Sequence, residues 1–376
     1  MTVILRVISK SVIPKKLESI QLLRGVAALL VACVHLQAIE QKYGQEGAIL
    51  PGWLGYGKAS VDLFFVISGF VIATVTCGQF HSMRAAGHFL FQRITRIYPP
   101  YWLYSTIVLV IWLYRPEMVN ATQDNQVNIL ASFLLLPQVL LPLLMVGWTL
   151  IHEMYFYLII ALLIPVIRER MFPATLALWG IVVVFWHIYF MSNPSKNYSP
   201  SLLLAFHPLT LEFIGGSAVG LLLKGNIIGK GYVITIIGIA GFLFAASWLD
   251  TNDMVLDING WWRVLCFGIP SIFVVYGVVS VEIGGKVRFP RIMRKIGDAS
   301  YSIYLTHVLV LSAIGRAWAQ VATPELINHV VALATMILAV IITGLISYRW
   351  VEVPILNRIR VWSSQYQISI PNKSEI

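Results

Sequence analysis

Charge is scarce in this chain. Of its 376 residues only 12% are Asp, Glu, Lys or Arg, whereas 58% are hydrophobic. A soluble domain carries about twice that share of charge, near 25%. Cysteine is scarce too: Cys33, Cys77 and Cys266 each lie inside an apolar run. They form no disulfide framework and no metal-ligand spacing, so they are expected as small buried hydrophobes and no metal site is expected. No glycine-rich phosphate loop of Walker or Rossmann type occurs, which argues against nucleotide hydrolysis and redox chemistry. Internal repeats and low-complexity tracts are missing, and no loop is long enough for a folded extramembrane domain. A cleavable signal peptide is not expected, because the basic N-terminal arm leads into a span that holds Arg24 and His35.

What the sequence does have is apolar runs of membrane-crossing length, recurring from Ile20 almost to the end. They predict spans near 20–39, 59–77, 98–114, 146–167, 174–191, 203–223, 231–248, 262–280, 299–318 and 327–350. The expected fold is all-α: a polytopic membrane protein of about ten transmembrane helices. A cytoplasmic arm (1–19), a transmembrane domain (20–350) and a cytoplasmic tail (351–376) make up the chain. Pro99 and Pro100 suit the first turn of the third span, and Asp298 suits the N-cap of the ninth. The stretch 129–145 contains Pro137 and Pro142 and reads as re-entrant or interfacial.

The net charge of +10 could suggest nucleic acid, but its distribution favours a membrane. Of the 27 Lys and Arg, twenty fall in the segments on the side of the N-terminus, six on the other side, and Arg24 lies within a span. That bias places both termini in the cytoplasm. Membrane lipids are then the expected surroundings, with no nucleic-acid partner. The opposite loops carry acidic residues such as Glu40, Glu117, Asp124 and Asp250.

Ionisable groups within the bilayer are costly and usually functional. Arg24 sits near the inner end of the first span and His35 toward its outer end. Eleven residues make about three turns, so the two share one face roughly 16 Å apart. Asp62 opens the second span from outside, Glu153 lies in the outer half of the fourth beside His152, and Glu212 falls inside the sixth. His307 lies near the middle of the ninth, with Tyr301 and Tyr304 on its face. A histidine and a carboxylate at similar depth supply a buried general base and its partner, so His35 pairs on this view with Asp62 or Glu153. The plainer alternative for each is a satisfied helix–helix hydrogen bond, which is how His152 and His187 read; Glu212 is ambiguous. At the inner side Arg93 and Arg96 lie three apart ahead of Tyr98-Pro99-Pro100. They can clamp phosphate oxygens, or simply represent inner-face basic charge.

These residues also carry a resemblance. Arg24-Gly25-Val26-Ala27-Ala28 running on to His35, and Ser60-Val61-Asp62-Leu63-Phe64-Phe65-Val66-Ile67-Ser68-Gly69-Phe70, resemble blocks of the acyltransferase-3 family. So do Arg93-Ile94-Thr95-Arg96-Ile97-Tyr98-Pro99 and the string from Trp148 through His152 and Glu153 to Tyr157. A fifth block runs from Asp298 through Tyr301 and Tyr304 to His307. The resemblance implies a ten-helix membrane O-acyltransferase of the bacterial inner membrane. It implies acetyl-CoA or another short-chain acyl-CoA as donor substrate, with no permanently bound cofactor. The implied acceptor is a hydroxyl of a lipid-linked or exported glycan, an exopolysaccharide or a lipopolysaccharide O-antigen, in the manner of relatives without a fused extracytoplasmic domain. It assigns Arg24, Arg93 and Arg96 to the coenzyme, helped by basic residues of 286–295. His35, with Asp62 or Glu153, becomes the catalytic base, and a transient acyl-histidine is the other route. Tyr301, Tyr304 and His307 become channel-lining or oxyanion candidates. A proton-coupled transporter or glycan exporter uses the same buried groups and stays the rival class, although no inverted repeat is visible.

Overall fold

The computed structural model describes residues 17–368 except 46, 194–195, 252–259, 286 and 288. Most of the N-terminal arm, the last eight residues, and Lys286 and Arg288 of the 286–295 segment therefore lie outside the described residues. Among the described residues the body is built from ten helices: α1 (Glu18–Tyr43), α2 (Ser60–Val75), α3 (Met83–Tyr114), α4 (Gly147–Val166) and α5 (Phe172–Met191) lead. They are followed by α6 (Thr210–Lys224), α7 (Gly231–Thr251), α8 (Ile269–Ile283), α9 (Ser300–Trp318) and α10 (Leu326–Ser347). No strand occurs among the described residues. Nine helical stretches there are long and apolar enough to cross a membrane. The expected ninth span, α9, is not among them, because Ser, Tyr, Thr, His and Arg dilute its 19 residues. It packs instead between α1 and α10, where polar side chains find protein partners.

The outward faces are apolar. Phe185 of α5 is 65% exposed and Phe244 of α7 is 73% exposed, with Leu178, Ile181 and Leu243 beside them. Helices this apolar on their outer faces belong in lipid, where such side chains cost nothing. The protein is therefore a multi-pass membrane protein. With no hydrophobic force between helices in lipid, close backbone approach has to hold them together. At Gly216 of α6 an added methyl carbon would stand 1.9 Å from the Val66 carbonyl oxygen of α2. The same contact at Gly297, in the short helix Arg291–Asp298, would be 1.9 Å from the Gln21 carbonyl of α1. That second contact seats the short helix one turn from Arg24.

Three local expectations need correcting. The third span does not begin at its prolines: α3 starts at Met83, capped by Ser82, and runs 32 residues with Pro99 and Pro100 inside it. The Tyr301 hydroxyl of α9 donates to the neighbouring Ile97 carbonyl at 2.8 Å and ties the two helices together there. Asp298 does not cap α9; it ends the short helix before it, and the cap position falls to Ala299. Beyond 350 the chain does not leave the helix, since a π-turn at Tyr348–Glu352 leads into a helix over Val353–Ile368.

The stretch 129–145 forms no spanning helix. It gives one short helix, Ile129–Leu134, followed by irregular chain. Tyr101, Trp102 and Tyr98 of α3 donate to the carbonyls of Ser132, Phe133 and Leu134 at 2.8, 2.9 and 2.9 Å. Non-helical backbone at membrane depth requires such internal partners. As a result α4 starts beside Tyr101, with Gly147 against its ring. From there to the end of α3 at Tyr114 is roughly 20 Å of helix, and the irregular stretch fills the space.

Candidate active site

A cavity of about 870 Å³, counting its open mouth, lies among α1, α2, α3, α4 and α9. Arg24, Arg93 and Arg96 line it together with Ser68, Glu153, Tyr157, Thr149, Tyr301 and Tyr304. Among the described residues no carboxylate pairs directly with any of the three arginines. The Arg93 guanidinium lies 5.3 Å from the centres of the Phe89 and Tyr157 rings, and its buried Nε has no hydrogen-bond partner. Helix geometry explains the convergence of Arg93 and Arg96, three apart on one face of α3. Arg24 reaches them because α1 lies beside the start of α9.

Two carboxylates face this basic end at longer range. Glu153 accepts from Ser68 at 2.9 Å and from Tyr157. Glu352, in the π-turn after α10, accepts from Ser302 at 2.6 Å, and its charge acts on Arg24 and Arg96. Among the residues that line the cavity three arginines stand against one carboxylate, Glu153, which leaves that end positive. Unpaired guanidiniums in a partly dry site suit an anion with several oxygens, phosphate above all.

Phe64 and Tyr304 close the other end, their rings 6.0 Å apart. The Tyr304 hydroxyl lies 2.8 Å from that of Thr149 and 3.1 Å from the Val146 carbonyl. Tyr301 has committed its one hydroxyl hydrogen to Ile97. This arrangement makes both tyrosines walls of the cavity rather than free oxyanion donors. Immediately beyond Tyr304 lies His307, ring centres 5.6 Å apart, and against His307 lies His35 at 5.0 Å.

The expected carboxylate partner of His35 is not where sequence depth put it. Asp62 is fully buried and receives Arg263 through Nε at 3.0 and 3.1 Å and Nη2 at 2.9 Å. Arg263 also donates to the Lys58 carbonyl at 3.1 Å and stacks 5.8 Å from the Trp148 ring. Glu212 is buried next to this pair, under Gly268, with its carboxyl group against that of Asp62. Glu153 belongs to the cavity's basic half. His152 packs its ring on Trp148 and His207, at 6.0 and 4.5 Å. Sequence reasoning missed Arg263, Glu352 and Tyr157. The first looked like outer-loop charge and the second like the start of a tail. Arg263 immediately precedes the π-helical turn Val264–Gly268 and Glu352 ends the one at Tyr348–Glu352, a feature frequent at functional sites.

Residues 17–348 match the acyltransferase-3 acyltransferase domain, most of the chain. The chain belongs to the acyltransferase-3 family. This acyltransferase is 29% identical over 313 residues to the exopolysaccharide production protein ExoZ of Rhizobium meliloti, covering 80% of this chain and 90% of that one. It is 24% identical over 375 residues to the O-acetyltransferase OatA of Staphylococcus aureus, covering 91% of this chain. It spans 57% of the length of that relative. No solved structure matches it.

Proposed function

We propose that this membrane acyltransferase moves an acetyl group from acetyl-CoA, or another short-chain acyl-CoA, to a hydroxyl of an exported polysaccharide. The observation that carries the proposal is a single cavity with three unpaired arginines at one end and the His35–His307 pair just behind the other. The names of its relatives, an exopolysaccharide production protein and an O-acetyltransferase, support the acceptor class and the acetyl group. On this proposal Arg93, Arg96 and Arg24 hold the phosphates of coenzyme A at the cytoplasmic mouth. The thioester then lies along the cavity toward the Phe64–Tyr304 wall. His35, on the face of α1 that carries Arg24, takes the proton from the acceptor hydroxyl. The acyl carbon bonds to the acceptor oxygen, the carbon–sulfur bond breaks, and the proton ends on the departing thiolate.

Membranes containing the protein, given labelled acetyl-CoA, should release free thiol and place label in a polysaccharide fraction. General-base catalysis contributes about 10²–10⁴-fold, and His35→Ala should lose that much. A wild-type membrane that releases no thiol with any short-chain donor, across polysaccharide acceptors, would move the protein to the transporter class.

A further inference from the structure

Resting on the acyl-transfer proposal, the geometry points to His307 as the positioning partner of His35, an imidazole standing where a carboxylate usually stands. His307 is fully buried on α9, and its Nδ1 lies 2.7 Å from the Tyr304 carbonyl oxygen. A carbonyl can only accept, so Nδ1 carries the hydrogen, and the neutral ring keeps its lone pair on Nε2. That Nε2 is buried and has no hydrogen-bond partner. A buried acceptor left without a donor is destabilising, so this lone pair favours any N–H that can reach it. The neighbouring ring is His35, centre to centre 5.0 Å, tilted by 54°. A turn of the His35 ring about its soft torsion can aim an N–H at this lone pair while His307 keeps its bond to Tyr304.

Every carboxylate that might have served is engaged or turned elsewhere. Asp62 is held by Arg263, and Glu153 by Ser68 and Tyr157. Glu212 lies under Gly268. The charged group that acts on His35 from the turn before α2 is Lys58, a cation, and from its own helix His307 has Tyr304. A neutral acceptor is therefore the partner this pocket supplies.

The consequence is chemical. With one N–H given to His307, His35 presents its other nitrogen bare, the form a base needs. Once His35 has taken the hydroxyl proton, the imidazolium shares its new charge with His307 through the N–H···N bond. His307 itself gains and loses nothing over the cycle. Its fixed tautomer does what the carboxylate does in a serine-protease triad, orienting the ring and stabilising its protonated form.

The test compares wild type with His307→Leu and His307→Gln in purified, detergent-solubilised protein, with acetyl-CoA as donor. Leu cannot accept from His35, whereas the Gln amide oxygen can. His307→Leu should lower kcat by roughly 100-fold, the low end of what general-base catalysis contributes. KM for acetyl-CoA should stay within twofold, and His307→Gln should recover at least a tenth of wild-type kcat. A purely structural His307 would instead shift KM and melting temperature together, with Gln no better than Leu. Nitrogen-15 NMR of histidine-labelled protein reads the tautomer without turnover. His307 should show a protonated Nδ1 and a bare Nε2, whose resonance moves in His35→Ala. Wild-type kcat in His307→Leu, or a protonated Nε2 in the spectrum, overturns the inference. Failure of wild type to release thiol instead removes the acyl-CoA proposal and leaves the spectrum to judge the ring pair.

Discussion

Two clusters of buried charge lie within one bundle and behave oppositely. Around Asp62, the positive charge of Arg263 is met by three hydrogen bonds from its guanidinium. Around Arg24, Arg93 and Arg96, guanidiniums converge with no carboxylate among the described residues in contact. A paired charge in low dielectric has spent its desolvation cost on its partner and has little left to offer a ligand. An unpaired one, at an open cavity, gains a partner only when an anion arrives. The difference separates a strut from a binding site, although both read in sequence as charge inside a membrane.

The largest effect should come from breaking the strut. Arg263→Met leaves Asp62 buried beside Glu212 with no cation, which costs about 3–5 kcal/mol. Melting in detergent should fall steeply, and Asp62→Leu in the same chain should restore most of it. A stable single variant that simply lacks activity would move Arg263 to the chemistry and erase the contrast. Next in size is Arg93→Ala. Losing a charge-assisted hydrogen bond worth about 1.5–3 kcal/mol should raise KM for acetyl-CoA by 10- to 100-fold. Stability should hardly change, because no partner charge is orphaned. Arg93→Lys should fall between, as a point charge replaces a planar fork. Smallest is the effect of salt. Raising ionic strength should increase that KM by about two- to threefold, since charges at an open mouth are screened and buried ones are not. The melting temperature should stay put, and a salt-sensitive melting curve would place the strut nearer to solvent than its burial indicates.

Much of the architecture was legible in one dimension. Apolar runs marked the spans, and the prolines at 137 and 142 marked a stretch that would not cross. Arg93 and Arg96 were legible as a pair because helix spacing is local. The start of α3 was not, since Arg84, His88, Gln92 and Arg93 interrupt its hydropathy while leaving the helix intact. α9 was found by pattern although it alone of these ten has no stretch apolar enough to count as a span by composition, because its polar groups face other helices.

Partnership was a different matter. Depth along a helix follows from counting residues, so the membrane fold was readable from the chain alone, as was the place of Arg24, His35, Asp62 and Glu153 along their own helices. Which charge meets which depends on how helices turn toward one another. Asp62 and Arg263 are 201 residues apart, and nothing local links them. The ring contact of His35 with His307 likewise joins two helices from opposite ends of the chain. Close glycine contacts such as Gly297 on Gln21 fix those rotations, and a side chain's neighbours change completely when its helix turns. That Asp62 is a strut, that no described carboxylate meets the three arginines, and that His35 faces an imidazole all follow from how the helices turn toward one another.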